Sequence, residues 1–212
     1  GESFTALGGL LISTVAILFV LGLNLVTVKL FGEMEFWFAM VKITAIIVLI
    51  AVGLWMIFTG FTNSSGTTAS VSNLWTHGGF FPKGLDGFLA GFQIAIFAFV
   101  GVELVGTTAA ETQDPKRNLP KAINSIPIRI IIFYVLALFV VMCVTPWDQI
   151  NPKVSPFVNI FSQAGIASAA IIMNLVVLSS VMSSMNSGVF STSRMLFGLS
   201  TDQKAPKLFA ML

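Results

Sequence analysis

An all-α membrane protein is the fold class this sequence predicts, and three observations carry that expectation. First, only 9% of the 212 residues are charged while 56% are hydrophobic, and the mean hydropathy is +0.93. A soluble domain carries about 25% charged residues because its surface has to be wetted. This chain has too few, so lipid is its expected solvent over most of its surface. Second, five apolar stretches are each long enough to cross the ~30 Å hydrocarbon layer as a helix of about 20 residues. Third, the alternation of a membrane barrel is absent. Backbone groups in lipid must pair within their own segment, which leaves helices.

The five stretches lie near 6–28, 36–58, 88–110, 128–145 and 164–190. The polar segments that face one side carry Lys29, then Lys116, Arg117, Lys121 and Arg129, then Arg194, Lys204 and Lys207. The segments on the other side carry only Lys83 and Lys153. The Lys/Arg-rich side is expected to be cytoplasmic, which puts the N-terminus outside and the C-terminus inside. The outer segment 59–84 contains Asn63, Ser64, Ser65, Gly66, Thr67 and Thr68, a composition that predicts a flexible polar turn. His77 in the same segment is the only histidine and reads as a solvated loop residue rather than a ligand. Cys143 sits in an apolar run as a small buried hydrophobe. The net charge of +2, with scattered basic residues, gives no nucleic-acid footprint. Both ends, Gly1–Glu2–Ser3 and Phe209–Ala210–Met211–Leu212, have the look of cuts through a longer chain.

Two ionisable residues fall well inside the expected spans, away from their edges: Lys42 in the second and Glu103 in the third. A charge at the bilayer centre costs at least about 2.5–3.5 kcal/mol, so such residues usually face a bundle interior or a water path. Lys42 is about two turns from the cytoplasmic end, and snorkelling is its plain alternative. Glu103 is deeper and has a short stem; its own alternative is a protonated packing residue. Gly101 and Gly106 bracket it. Close helix packing through small residues accounts for them, and so does a broken helix whose freed carbonyls face a midplane cavity. In the fifth stretch, Asn174, Ser179, Ser180, Ser183, Ser184, Asn186, Ser187 and Ser191 run toward the cytoplasm. Spacing puts Ser180, Ser184, Ser187 and Ser191 on one face. Interhelical hydrogen bonding and pore lining, with Ser183 and Asn186 as candidates, explain these residues equally well.

The order of these residues resembles a known family. Gly32–Glu33–Met34–Glu35–Phe36–Trp37–Phe38–Ala39 followed by Val41–Lys42 is similar to the start of the fifth helix in bacterial amino-acid permeases of the amino acid–polyamine–organocation superfamily. Phe99–Val100–Gly101–Val102–Glu103–Leu104–Val105–Gly106, Ala110–Glu111–Thr112, Asp114–Pro115, Arg117 and Leu119–Pro120 resemble its sixth helix and the loop after it. Asn186–Ser187–Gly188 and Ser193–Arg194–Met195–Leu196–Phe197 resemble the end of its eighth. The likeness covers essentially the whole chain. Within the family, Ser125–Ile126–Pro127–Ile128–Arg129–Ile130 and the run from Ser187 to Arg194 look most like the subfamily for D-serine, D-alanine and glycine.

The resemblance implies a twelve-helix transporter with a LeuT-type inverted repeat of five plus five helices, of which this chain would be helices four to eight. It implies that the carbonyls of Phe97, Ala98 and Val100 accept the substrate's ammonium, with Gly101 permitting the break. Glu103 would brace that segment, gate, or carry proton traffic. Lys42 matches the lysine whose ammonium stands where sodium sits in sodium-coupled relatives, and a partly desolvated lysine can lose its proton. The implied coupling ion is H+, with no further cofactor. The implied partners are a small amino acid, the bilayer and the remaining helices of the same polypeptide. Asp114 before Pro115 is expected to cap a short cytoplasmic helix.

Three competing functions are weaker. A channel would show charged rings or repeated filter carbonyls. A membrane-embedded enzyme would need a catalytic constellation, and His77 stands apart in an outer loop. A sodium-coupled transporter conflicts with Lys42, whose ammonium would repel the ion. Secondary transport of small neutral amino acids is the expected function, by proton symport or, alternatively, exchange.

Overall fold

The computed structural model describes residues 2–26, 28–63, 66–102, 104–107, 112–166 and 168–210. Ser64, Ser65, Glu103, Ala110 and Glu111, all named above, lie outside the described residues. The order of helices is α1 (Glu2–Val26), α2 (Val28–Thr59), α3 (Asn73–Thr76), α4 (Gly84–Ala95), α5 (Leu104–Thr107), α6 (Pro115–Ile130), α7 (Ala137–Val144), α8 (Pro156–Gln163) and α9 (Ala169–Thr201). Among the described residues, three stretches, Gly32–Thr59, Pro115–Val144 and Ala169–Thr201, are long and apolar enough to cross a membrane. Gly8–Gly22 and Gly84–Phe99 are apolar but shorter. The chain packs as two compact units, one of Gly1–Lys42, Gly106–Glu111 and Val176–Leu212, the other of Ile43–Val105 and Thr112–Leu175.

In the first unit the buried residues are mostly polar. Val20 and Phe190 are enclosed together with Ser183, Asn186, Ser191 and Ser200. Buried polar side chains need hydrogen-bond partners: Ser200 donates to the Pro206 carbonyl at 2.7 Å, whereas Ser183 and Asn186 bond side chains of other helices. The buried face of α9 only partly follows the stripe that spacing suggested. Of that stripe Ser191 is buried, Ser180 and Ser187 are half-buried and Ser184 is exposed, while Ser183, Asn186 and Phe190 point inward beside it.

The second unit has an aliphatic core of Leu49, Met56, Val140, Val144 and Ile160, all essentially inaccessible. The described flanks of the segment expected to be a flexible turn are held in place. Thr62 and Thr68 form an antiparallel bridge, and the Asn73 amide donates to the carbonyls of Thr68 (3.0 Å) and Cys143 (2.8 Å). Nor is His77 merely solvated. Its Nδ1 lies 3.1 Å from Asp148 Oδ2, and Trp147 Nε1 donates to its carbonyl at 2.8 Å.

Two local irregularities matter for function. After α4 the chain tightens into a 3-10 turn over Ile96–Phe99 and becomes extended at Val100 (φ −66°, ψ 133°). Gly101 then takes φ +91°, a left-handed conformation that only glycine adopts freely. The apolar stretch is therefore interrupted at Val100–Gly101. Further on, Pro127 lies inside α6. Proline removes a backbone donor and crowds the preceding turn, and a π-helical turn over Ile131–Leu136 follows before α7 resumes the α-helix. At the start of α6, Asp114 occupies the capping position with Pro115 behind it, but its backbone is left-handed (φ 46°) and its side chain makes no capping bond. Its carbonyl serves instead, accepting from the N–H groups of Arg117 and Asn118.

Candidate functional site

Helix α2 begins at Val28, earlier than the apolar stretch that marks it in the sequence, and so carries Glu35 and Lys42 on one continuous helix. The two are seven residues apart, about two turns, which places them on the same face. Ser183 and Asn186 on α9 are separated by one turn and face them. The Lys42 ammonium donates to Ser183 Oγ at 2.9 Å. The Ser183 hydroxyl donates to Glu35 Oε2 at 2.7 Å. Asn186 Nδ2 donates to the other carboxylate oxygen, Oε1, at 2.9 Å. Asn24 of α1 closes the chain, with Nδ2 donating to Asn186 Oδ1 at 2.8 Å and to Val20 O at 2.9 Å.

Burial makes this cluster unusual. Ser183 is 3% exposed and Asn186 0%, and Glu35 and Lys42 are half-buried. An unpaired charge in such a place would be strongly destabilising. Here both charges are held by neutral hydrogen-bonding groups, and Ser183 stands between them. The Lys42 ammonium is turned onto α9. Chemically, the arrangement can hold an ammonium and a carboxylate one hydroxyl apart and can pass a proton through that hydroxyl.

Three of the sequence-predicted residues, Lys42, Ser183 and Asn186, are thus brought together in the first unit. Glu35 and Asn24 complete the cluster, and sequence reading missed both as site residues. Glu35 was legible only as part of a motif, because it lies just ahead of the apolar run. The signal that could have found it is the seven-residue spacing to Lys42.

The remaining candidates belong to the second unit. Ala98, Val100 and Gly101 line an open cavity of about 280 Å³ together with Arg129, Phe133 and Tyr134. Phe97 is 70% exposed and its carbonyl already accepts from the Val100 N–H at 3.3 Å. To receive an ammonium it would have to share that acceptor. Glu103 lies outside the described residues, and its surroundings are not part of this geometry.

The amino acid permease family model matches the chain over residues 2–212. The chain belongs to the amino acid permease family. It is 63% identical over 200 residues to a D-serine/D-alanine/glycine transporter of Escherichia coli (strain K12), covering 94% of this chain and 43% of that protein. It is 55% identical over 197 residues to the amino-acid permease AapA of Bacillus subtilis (strain 168), covering 93% and 42% respectively. It is 52% identical over 186 residues to a probable threonine/serine transporter, YbxG, of the same organism, covering 88% and 40%. This permease chain therefore spans less than half the length of the curated relatives it matches. No solved structure matches it. With three stretches apolar enough to span a bilayer among the described residues, it is part of a membrane protein, and its relatives are named transporters and permeases.

Proposed function

We propose that the protein to which this chain belongs is a secondary active transporter of small neutral amino acids in the cytoplasmic membrane, coupled to proton entry and working by alternating access. The observation that carries this reading is Lys42, an ammonium inside the Gly32–Thr59 apolar helix held by a buried serine. A cation fixed there leaves no room for sodium, and a desolvated lysine can exchange its proton. The interruption at Val100–Gly101 supports the substrate end of the reading. It has the form that transporters use to expose backbone carbonyls at mid-membrane. In this reading the chain contributes five crossings of a LeuT-type inverted repeat, with its first residues outside and its last inside.

The 63% identity to a D-serine/D-alanine/glycine transporter favours those three substrates. The 52% identity to a probable threonine/serine transporter favours a second reading, in which the same machinery accepts other small polar amino acids. Uptake by the full-length protein in liposomes decides between them. Labelled glycine, D-alanine, D-serine, L-serine and L-threonine are supplied with and without an inward proton gradient, beside Lys42→Ala vesicles. Gradient-driven accumulation that Lys42→Ala abolishes is the expected result. Accumulation untouched by Lys42→Ala removes Lys42 from coupling, and no uptake of any substrate overturns the assignment.

A further inference from the structure

We propose that Glu35 is the second proton-binding group of the coupling site, and that it exchanges the coupling proton with Lys42 through the hydroxyl of Ser183. This rests on the transport reading above and adds a residue that the family resemblance does not supply.

The geometry runs in one direction. Lys42 donates to Ser183 (2.9 Å) and Ser183 donates to Glu35 (2.7 Å). A proton can therefore move by two coupled shifts. An N–H bond of Lys42 breaks as an O–H bond forms on Ser183 Oγ. The hydroxyl's original O–H bond breaks as one forms on Glu35 Oε2. Lys42 is left as a neutral amine, Glu35 as a neutral acid and Ser183 unchanged. Net charge over the three residues is zero before and after, whereas a lone lysine losing its proton would change the charge of a buried region by a full unit. Charge separation is what makes titration inside a membrane costly. That shift moves the proton between the two ends of the trio, whose total charge changes by one unit only when Lys42 or Glu35 exchanges a proton with water under the imposed gradient.

Asn186 is a positioning residue here. By occupying Oε1 it leaves Oε2 to Ser183, and Asn24 fixes its amide from the other side. No direct ion pair joins Lys42 to Glu35, so Ser183 is the bridge. Among the described residues, the other charged groups near this part of α2 and α9 are Glu33, which is exposed, and Arg194. Arg194 lies two turns along α9 from Asn186 and stacks 5.0 Å over the Phe190 ring. The described side chains of α1 carry no charge. Neither Glu33 nor Arg194 lies between Lys42 and Glu35.

The test uses the full-length protein in liposomes loaded with a pH-reporting dye, so that proton entry and labelled substrate entry are measured together. Glu35→Gln, Ser183→Ala and Ser183→Thr are compared with wild type, and Ser184→Ala, on the exposed face of α9, is the control. Glu35→Gln and Ser183→Ala are expected to lower the protons moved per substrate at least tenfold. Ser183→Thr, which restores a hydroxyl, should return the ratio to within about threefold of wild type. The proposal is overturned if Glu35→Gln keeps the wild-type ratio. It is equally overturned if Ser183→Thr behaves as Ser183→Ala, or if proton and substrate entry fall in equal proportion, the mark of a structural role. If wild type itself accumulates nothing, the transport reading fails. If Lys42→Ala uncouples but Glu35→Gln does not, this inference alone fails.

Discussion

Gly53 of α2 and Val140 of α7 leave no space between them: a methyl group on Gly53 would collide with Val140 Cγ1. Valine in a helix is held in essentially one rotamer, so it cannot swing aside and the two helices would have to part. Gly53→Ala is expected to destabilise the full-length protein by about 1–3 kcal/mol, seen as a lower Tm in detergent. Val140→Ala added to Gly53→Ala should recover part of the loss, because the two residues are in contact and their effects are not additive. Equal and additive losses would show that the close approach is not what sets stability there.

Gly101→Ala tests the break in the chain after α4. The left-handed backbone at Gly101 costs a residue with a Cβ about 1–2 kcal/mol. The expected outcome is reduced uptake by the full-length protein with correct membrane insertion. Uptake equal to wild type would show that the segment need not keep this conformation.

Asn73 is 8% exposed and its amide bonds two carbonyls, one of them at the end of α7. Asn73→Ala should cost about 1–3 kcal/mol, since it leaves the Thr68 and Cys143 carbonyls without that donor. Thermal unfolding of the variant in detergent measures it. Hydrogen exchange should rise at Ser70, whose N–H also bonds the Cys143 carbonyl.

The 212-residue chain by itself is expected to bind no glycine, D-alanine or D-serine, because it supplies less than half the length of its relatives. Calorimetry on the purified fragment is the check, and a saturable signal would overturn the expectation.

Much of this was legible in the residues and some was not. Lys42 stood out because a charge inside an apolar run has few bland explanations. Glu35 did not, because hydropathy marks where the apolar run begins and α2 begins eight residues earlier than the expected span. The interruption at Gly101 was one of two readings that its glycines allowed. The composition of α9 announced a polar helix, but the polar residues occupy more than one face. Which face is buried depends on α1 and α2, and spacing along α9 cannot report that. Helix α8 was overlooked, although Ser155 followed by Pro156 is the pairing expected at a helix start.

The direction of the hydrogen bonds around Glu35 has a last consequence. A bare carboxylate can only accept, so Asn186 must present its NH2 side to Glu35 and its oxygen to Asn24. Asn24 must in turn offer its NH2 side, which also reaches the Val20 carbonyl. The settings of two amides on two other helices are thus dictated by one acidic group. A proton passed through Ser183 arrives at Oε2, so Oε1 remains an acceptor and both amides keep their settings when Glu35 is neutral. The contact between α1 and α9 is thereby insulated from a proton that comes and goes on the opposite side of the same carboxyl group.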